Sequence, residues 1–427
     1  MSSEWPLVPL EDLTDGTTIT YGVVKPGDES KDGVLFIRGG DVVAGRIDAS
    51  QLRTISREVS DQYSRTLLRG GELLISLVGN PGEVALVPNT LKGANIARQV
   101  GLVRIDPLKA DSNYLQFFFR SKVGRDVLLA YSKGSVQQVI NLKDLKAVKI
   151  PLPELEVQRL IATSMQAFDD RITLLRETNT TLEAIAQAQF KSWFMDFDPV
   201  HAKMQGRAPE GMDEATAALF PDSFEETELG PVPMGWRFST LGKSFELTMG
   251  QSPPGDTYNQ SEDGLPFYQG RTDFGFRFPT KRIFCNAPTR LAEIGDALVS
   301  VRAPVGDVNM AIERCCIGRG VASVRHQSGC LGYTLYAMKN LGAHFKNFDT
   351  EGTIFGSINK KDFEALPVVV PSQGVLVAFD EISKSLDGSI EINEQKIRVL
   401  VEIRDTLLPR LLSGQLSVSD FQATLAT

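Results

Sequence analysis

The sequence predicts an α+β fold in which two β-rich domains are separated by a long antiparallel two-helix coiled coil. Three observations carry that prediction. The chain is a diverged internal tandem repeat, which implies a pseudo-two-fold symmetry. Within each copy, short alternating runs give way to a long stretch of near-3.5 periodicity. And 427 residues exceed what a single hydrophobic core usually organises.

The repeat is legible residue by residue. Gly71-Glu72-Leu73-Leu74-Ile75-Ser76 recurs as Gly295-Asp296-Ala297-Leu298-Val299-Ser300, and each copy then reaches a Pro/Gly turn, Asn80-Pro81-Gly82-Glu83 or Pro304-Val305-Gly306-Asp307. Farther on, Gly134-Ser135-Val136 and Ile140-Asn141-Leu142-Lys143-Asp144-Leu145 match Gly352-Thr353-Ile354 and Ile358-Asn359-Lys360-Lys361-Asp362-Phe363. From there the register holds at 218 positions without a gap: Pro153 falls on Pro371, Phe168 on Leu386, Ile172 on Ile390, Leu182 on Leu400 and Phe190 on Leu408. Before Gly71 and Gly295 the copies align far less well. One half of each repeat is free to differ while the other stays similar.

The elements follow from periodicity. Residues 73–78, 83–87 and 100–105, and again 297–301, 308–312 and 321–324, are short β-rich runs bounded by Gly, Pro, Asn and Asp, and read as strands joined by turns. After Pro151-Leu152-Pro153 the pattern changes: Ile161, Met165, Phe168, Ile172, Leu175, Asn179, Leu182, Ala186 and Gln189 step by fours and threes. After Pro371 the equivalent positions are Phe379, Ser383, Leu386, Ile390, Asn393, Ile397, Leu400, Arg404 and Leu407. Heptad spacing favours a helix–helix seam over packing on a single domain. Roughly 40 residues at about 1.5 Å each give some 60 Å of helix, too long for one small β domain to cover. Asn179 and Asn393 interrupt the apolar seam at positions that an antiparallel pairing brings together, so they are expected to meet and help fix register. Residues 196–234, rich in Pro, Gly and acid, read as a partly ordered linker with a short helical stretch near 214–219. The expected organisation is a first β-rich domain over 1–150, a central helix over 151–195, the linker over 196–234, a second β-rich domain over 235–367, and a C-terminal helix and tail over 368–427.

Composition bounds the function. The net charge is −8, but it is unevenly spread. Residues 1–150 hold 19 basic and 17 acidic side chains and residues 236–367 hold 15 and 13, while the deficit lies in the helices and linker. An acidic total therefore leaves room for two locally basic surfaces. The four cysteines (Cys285, Cys315, Cys316, Cys330) form no C-x-x-C pair, and only His201, His326 and His344 could join them. This points to buried reduced thiols, with no metal expected. No apolar run approaches the roughly 20 residues of a membrane-spanning helix, and the first residues have no signal-peptide pattern. A soluble, cytoplasmic protein without membrane contact is expected.

Motifs for chemistry are missing. There is no G-x-x-x-x-G-K-[ST] phosphate loop. Asn80-Pro81-Gly82 and Ser252-Pro253-Pro254-Gly255 lack the Asn/Asp-Pro-Pro-aromatic combination of an amino-methyltransferase and read as turns. No nucleophile has a paired base in the sequence pattern. A binding protein without cofactor is expected, not an enzyme.

Two phrases complete the pattern: Lys191-Ser192-Trp193-Phe194-Met195-Asp196-Phe197-Asp198-Pro199-Val200 after the first helix, and Gly230-Pro231-Val232-Pro233-Met234-Gly235-Trp236 before the second β-rich domain. With the Gly-Ser/Thr…Asn/Lys…Asp-Leu/Phe…Pro passages before each helix, the chain resembles the specificity subunit of type I restriction–modification enzymes along essentially its whole length. Its start, Trp5-Pro6-Leu7-Val8-Pro9-Leu10, matches least. The resemblance implies that each β-rich part is a target-recognition domain reading one half of a bipartite, asymmetric site in double-stranded DNA. It implies that the helices set the gap between halves and dock methyltransferase subunits, two of them, with restriction/translocase subunits joining that core. The alternatives are a DNA-modifying enzyme (methyltransferase or nuclease) with atypical motifs, and a scaffold for which DNA does not matter.

Base-reading groups are expected on loops and strands of the two slightly basic blocks, because Arg and Lys pair bidentately with guanine, and Asn and Gln with adenine, in the major groove. The candidates are Arg38, Arg46, Arg53, Arg57, Asn80, Arg98, Gln137 and Gln138 in the first block. In the second they are Gln251, Gln269, Arg271, Arg277, Lys281, Arg282, Arg302 and Arg319. The string Tyr268-Gln269-Gly270-Arg271 combines aromatic, amide and guanidinium groups beside a glycine.

Overall fold

Leu73, Leu74, Ile75 and Ser76 are all buried, and their alternation shows why. Leu73 and Ile75 point into a core with Tyr114, Leu115 and Phe118, while Leu74 points the other way, to Ile37, Ile96 and Leu102. Both faces of this strand are covered, the period of two dividing its side chains between two cores. The computed structural model describes residues 5–133, 138–227, 230–302, 304–350 and 356–416, and the chain divides into two units, Met1–Leu174 with Ile397–Thr427, and Leu175–Lys396.

In the first unit an antiparallel sheet runs in the order Thr20–Tyr21, Val100–Val103, Leu73–Ser76, Val84–Leu86. Beside it, Val34–Ile37 pairs antiparallel with Arg53–Ile55 and parallel with Asn95–Ile96. The helix Ser112–Arg120 covers the sheet; Asp111 caps it by accepting from the Asn113 and Tyr114 amides. Leu7–Pro9 pairs with Lys149–Pro151, and the Tyr114 hydroxyl donates to the Pro151 carbonyl at 2.6 Å, fixing the chain just before the long helix starts.

The second unit repeats this plan. Its antiparallel sheet runs Phe245–Met249, Val321–His326, Ala297–Ser300, Val308–Met310. Ala297 and Val299 face a core with Tyr333 and Leu335, and Leu298 faces Tyr268 and Ile317. Leu265–Tyr268 lies parallel to Cys315–Ile317. Arg237–Thr240 pairs with Pro367–Val370, and the Tyr333 hydroxyl donates to the Val369 carbonyl at 2.9 Å. Val369 is the repeat counterpart of Pro151, so the same hydroxyl-to-carbonyl bond recurs.

The long helices are Leu155–Phe194 and Gln373–Ser413. Each unit holds one half of each, and within each unit the halves run antiparallel. In the first, Ile161 and Met165 share a core with Leu408, Leu411 and Leu412, and Asp169 pairs with Arg404. In the second, Phe190 packs on Phe379. There Asn393 donates to Asn179 at 2.9 Å, and Asn179 donates to Glu394 at 2.8 Å. The two asparagines meet in the seam as their spacing predicts.

The 196–234 stretch carries more structure than a linker. It contains the helices Asp198–Met204 and Glu214–Ala218 and a hairpin of Phe224–Thr227 with Gly230–Pro233. Val200, Phe220 and Val232 belong to the core of the second unit. Phe197, Met212 and Phe224 pack against the same core, so apolar anchors spaced along the segment hold it although its average composition is that of a linker.

Candidate nucleic-acid interface

Parallel neighbours end at the same edge of a sheet, and in the second unit this gathers several turns. Gln251 donates its amide to Ile317 at 3.0 Å, Gly318 to Tyr268 at 2.8 Å, and Val301 to Gly320 at 3.0 Å. A Cβ at Gly250 would sit 2.2 Å from the Gly318 carbonyl oxygen, so the close approach requires glycine. The turns at 250–252, 269–271 and 318–320 therefore converge, with Arg302 beside them. Gln251, Gln269, Arg271, Arg302 and Arg319 are all exposed there.

The first unit builds the same edge. Val23 donates to Ile96 at 2.8 Å, Ala97 to Ile37 at 2.9 Å, Arg98 to Val23 at 2.9 Å and Leu77 to Gln99 at 2.7 Å. A Cβ at Gly22 would fall 1.8 Å from the Ile96 carbonyl oxygen. An isolated bridge joins Val78 to Val139. This brings Arg38, Asn80, Arg98 and Gln138 to one edge, with Arg53, opposite Phe36, at the same end of its strand. Arg57 lies beyond Ile55 at the other end, opening the helix Arg57–Gln62. Arg46 donates to Thr173 on the long helix. Gln137 lies outside the described residues.

Hydrogen bonding sorts the candidates further. Arg38 is held by Asp41 through Nε at 3.1 Å and Nη2 at 2.8 Å. Arg271 pairs with Asp307 at 2.6 Å, Lys281 with Glu313 at 2.6 Å, and Arg282 with Asp273. Among the described residues, the side chains of Asn80, Arg98, Gln138, Gln251, Gln269, Arg302 and Arg319 have no partner and remain available to a ligand.

Arg277 requires a correction. It is fully buried, and its guanidinium is taken by Glu183, Asp387 and the Tyr336 hydroxyl. It binds the helix pair and presents nothing to a groove. Burial works against its charge, but Asp387, Tyr336 and Glu183 more than offset that and keep it protonated. Burial likewise raises the Glu183 carboxyl, yet Arg277 and Lys339 hold it below the ordinary carboxylate range. At Asp387 burial prevails and the carboxyl is pushed up. The counterpart of Asp387 in the 218-residue register is Asp169, which Arg120 (2.7 Å) and Arg404 (2.6 Å) grip in the first unit. The sequence reading missed these acidic sockets, although the repeat register aligned them.

All four cysteines are buried and unpaired by disulfides; burial, aided by nearby Asp296, pushes the Cys315 thiol up to about 12. Among the described residues no group of three or more His, Cys, Asp or Glu could hold a metal ion. Among them, too, no helix is long and apolar enough to cross a membrane.

Residues 4–184 match the family described as the type I restriction modification DNA specificity domain. A chain of Methanocaldococcus jannaschii, provisionally named as the specificity subunit of the type I restriction enzyme MjaX, is 28% identical, over 97% of this chain and 94% of its own. The type I restriction enzyme HindI specificity subunit of Haemophilus influenzae is 25% identical, over 90% of this chain and 94% of its own. The crystal structure of the type I restriction-modification system S subunit from M. genitalium shares the fold, with a TM-score of 0.57 at 17% identity over 96% of each chain. Over most of its length the chain is thus similar to type I restriction enzyme specificity subunits, and residues 4–184 match their DNA specificity domain.

Proposed function

We propose that this protein reads a bipartite, asymmetric site in double-stranded DNA on behalf of a type I restriction–modification complex, one half-site per β-rich domain. The domains are those at 1–150 and 235–367, flanking the central helix at 151–195 and the linker at 196–234, with the second helix and tail at 368–427. The observation that carries this reading is the pair of matching turn clusters, each presenting unpartnered amide and guanidinium groups at a sheet edge. The same backbone with different side chains suits two different half-sites.

The long helices support a docking role. Beside the buried seam they leave large apolar side chains exposed: Leu174, Val399 and Ile403 in the first unit, Ile185 and Ile392 in the second. In the 218-residue register Leu174 corresponds to Ile392, and Ile185 to Ile403, so an equivalent face is offered twice. Two methyltransferase subunits fit this duplication, with restriction/translocase subunits added to the assembly. The chain itself is read as non-catalytic and cytoplasmic, the chemistry belonging to its partners.

The test is selection from random duplexes by the complex of this chain with its methyltransferase subunits. A bipartite motif is expected, and exchanging residues 235–367 for the matching domain of a relative is expected to change one half only. Absence of any enriched motif, or a change in both halves, would overturn the reading.

A further inference from the structure

Several backbone bonds of the turn clusters correspond although the sequences align poorly; the Arg98 amide itself donates to the Val23 carbonyl and the Arg319 amide to the Ser252 hydroxyl. The Val23 amide bond to Ile96 corresponds to that of Gln251 to Ile317, Ala97 to Ile37 corresponds to Gly318 to Tyr268, and Leu77 to Gln99 corresponds to Val301 to Gly320. The Arg38 amide donates to Asp41 Oδ2 at 2.7 Å, and the Gln269 amide to Asp273 Oδ2 at 2.7 Å. Arg98, between Ala97 and Gln99, thus stands where Arg319 stands between Gly318 and Gly320. Arg38 and Gln269 form a second matched position, but there the side chains differ.

Of the two positions, one carries the same chemistry in both copies. Arg98 and Arg319 are exposed, and neither side chain has a hydrogen-bond or ion-pair partner among the described residues. Their backbone neighbours are pinned on both sides by bonds to adjoining strands, so each guanidinium projects from a fixed base. Their companions are mainly amides, Asn80 and Gln138 in one unit and Gln251 and Gln269 in the other. Guanidinium and amide groups together match the base-edge pattern of the major groove, arginine for guanine and Asn or Gln for adenine. Arg38 and Arg271 nearby are tethered to Asp41 and Asp307, while Arg302 is untethered but has no equally untethered arginine at a matched position of the first unit.

We propose that Arg98 and Arg319 are equivalent reading residues, each addressing a guanine in the major groove of its own half-site. This rests on the DNA-reading function proposed above. A bidentate contact through two of the guanidinium nitrogens to guanine O6 and N7 suits arginine and no amide.

The experiment uses the assembled complex of the full chain with its methyltransferase subunits, selecting from random duplexes, with wild type, Arg98→Gln and Arg319→Gln compared. Arg98→Gln is expected to lose preference for guanine at one position of one half-site, by roughly ten- to a hundredfold. Arg319→Gln is expected to do the same in the other half-site only. Binding that weakens evenly across all sequences, with a salt dependence reduced by about one ion, would mark phosphate contacts and overturn the inference. So would an unchanged motif, or one variant altering both halves. A wild-type complex with no bipartite motif would instead sink the function on which the inference rests. Thermal melting of each variant checks that folding is intact.

Discussion

Arginine serves two opposite purposes in this chain. Arg277 is enclosed with Glu183 and Asp387 on either side, so its removal strips the half-buried Asp387 of its cation and leaves the buried Glu183 with Lys339 alone. Breaking a buried ion network by deleting one partner typically costs about 3–5 kcal/mol. Arg277→Ala is therefore expected to lower stability by about that amount, and Arg319→Ala, on the surface, by less than about 0.5 kcal/mol. Urea unfolding of the two variants checks this; equal losses would show that the buried cluster contributes nothing special. His326 gives a pH dependence. It is buried, and the Ser328 amide donates to its Nδ1 at 3.1 Å, which requires a neutral ring with its proton on Nε2. Burial lowers its pKa below the ordinary 6.5. The sign follows: the contribution is complete above 6.5 and is lost as pH falls from there through the lower folded value. Wild type is expected to lose stability between pH 7.5 and 5 more steeply than His326→Gln, by thermal unfolding across that range; parallel curves would exclude the histidine.

Among the elements, the helix seam was the most legible in sequence because its period is set by geometry alone. The polar seam residues explain themselves only in space. Asn179 meets Asn393, and Arg404 turns out to reach Asp169. Asn179→Leu would leave the Asn393 amide group facing an apolar partner, at a cost of about 1–3 kcal/mol. Changing both to Leu is expected to restore stability while loosening the register. Melting temperatures report the first effect and cysteine cross-linking along the seam the second; a neutral single variant would remove the asparagines from any role in register. In the 196–234 segment the short helix Glu214–Ala218 was legible, whereas average composition concealed the apolar anchors Phe220 and Val232. The parallel pairing of Val34–Ile37 with Asn95–Ile96 was invisible, since strands of two to four residues carry too few side chains to show a period.

At the scale of the whole molecule, the acidic total was misleading and the segment charges informative. Which charged groups remain available was not legible at all. Arg271 and Lys281 are engaged by Asp307 and Glu313, partners remote in sequence. Arg277 sits among aromatic and charged residues much as Arg271 does, yet one is buried and the other exposed. Sequence could supply the pool of candidates, and only the folded chain could separate untethered side chains from fasteners.

The glycines that let the turns close have a consequence for how such a protein changes over time. Gly22 and Gly250 tie the turns together through backbone alone, so the outward side chains contribute little to holding the fold. Positions such as Gln269 and Arg319 can be rewritten with little penalty to folding. On the reading proposed for these positions, vocabulary and architecture are uncoupled: a lineage can drift to a new target without first passing through an unstable protein.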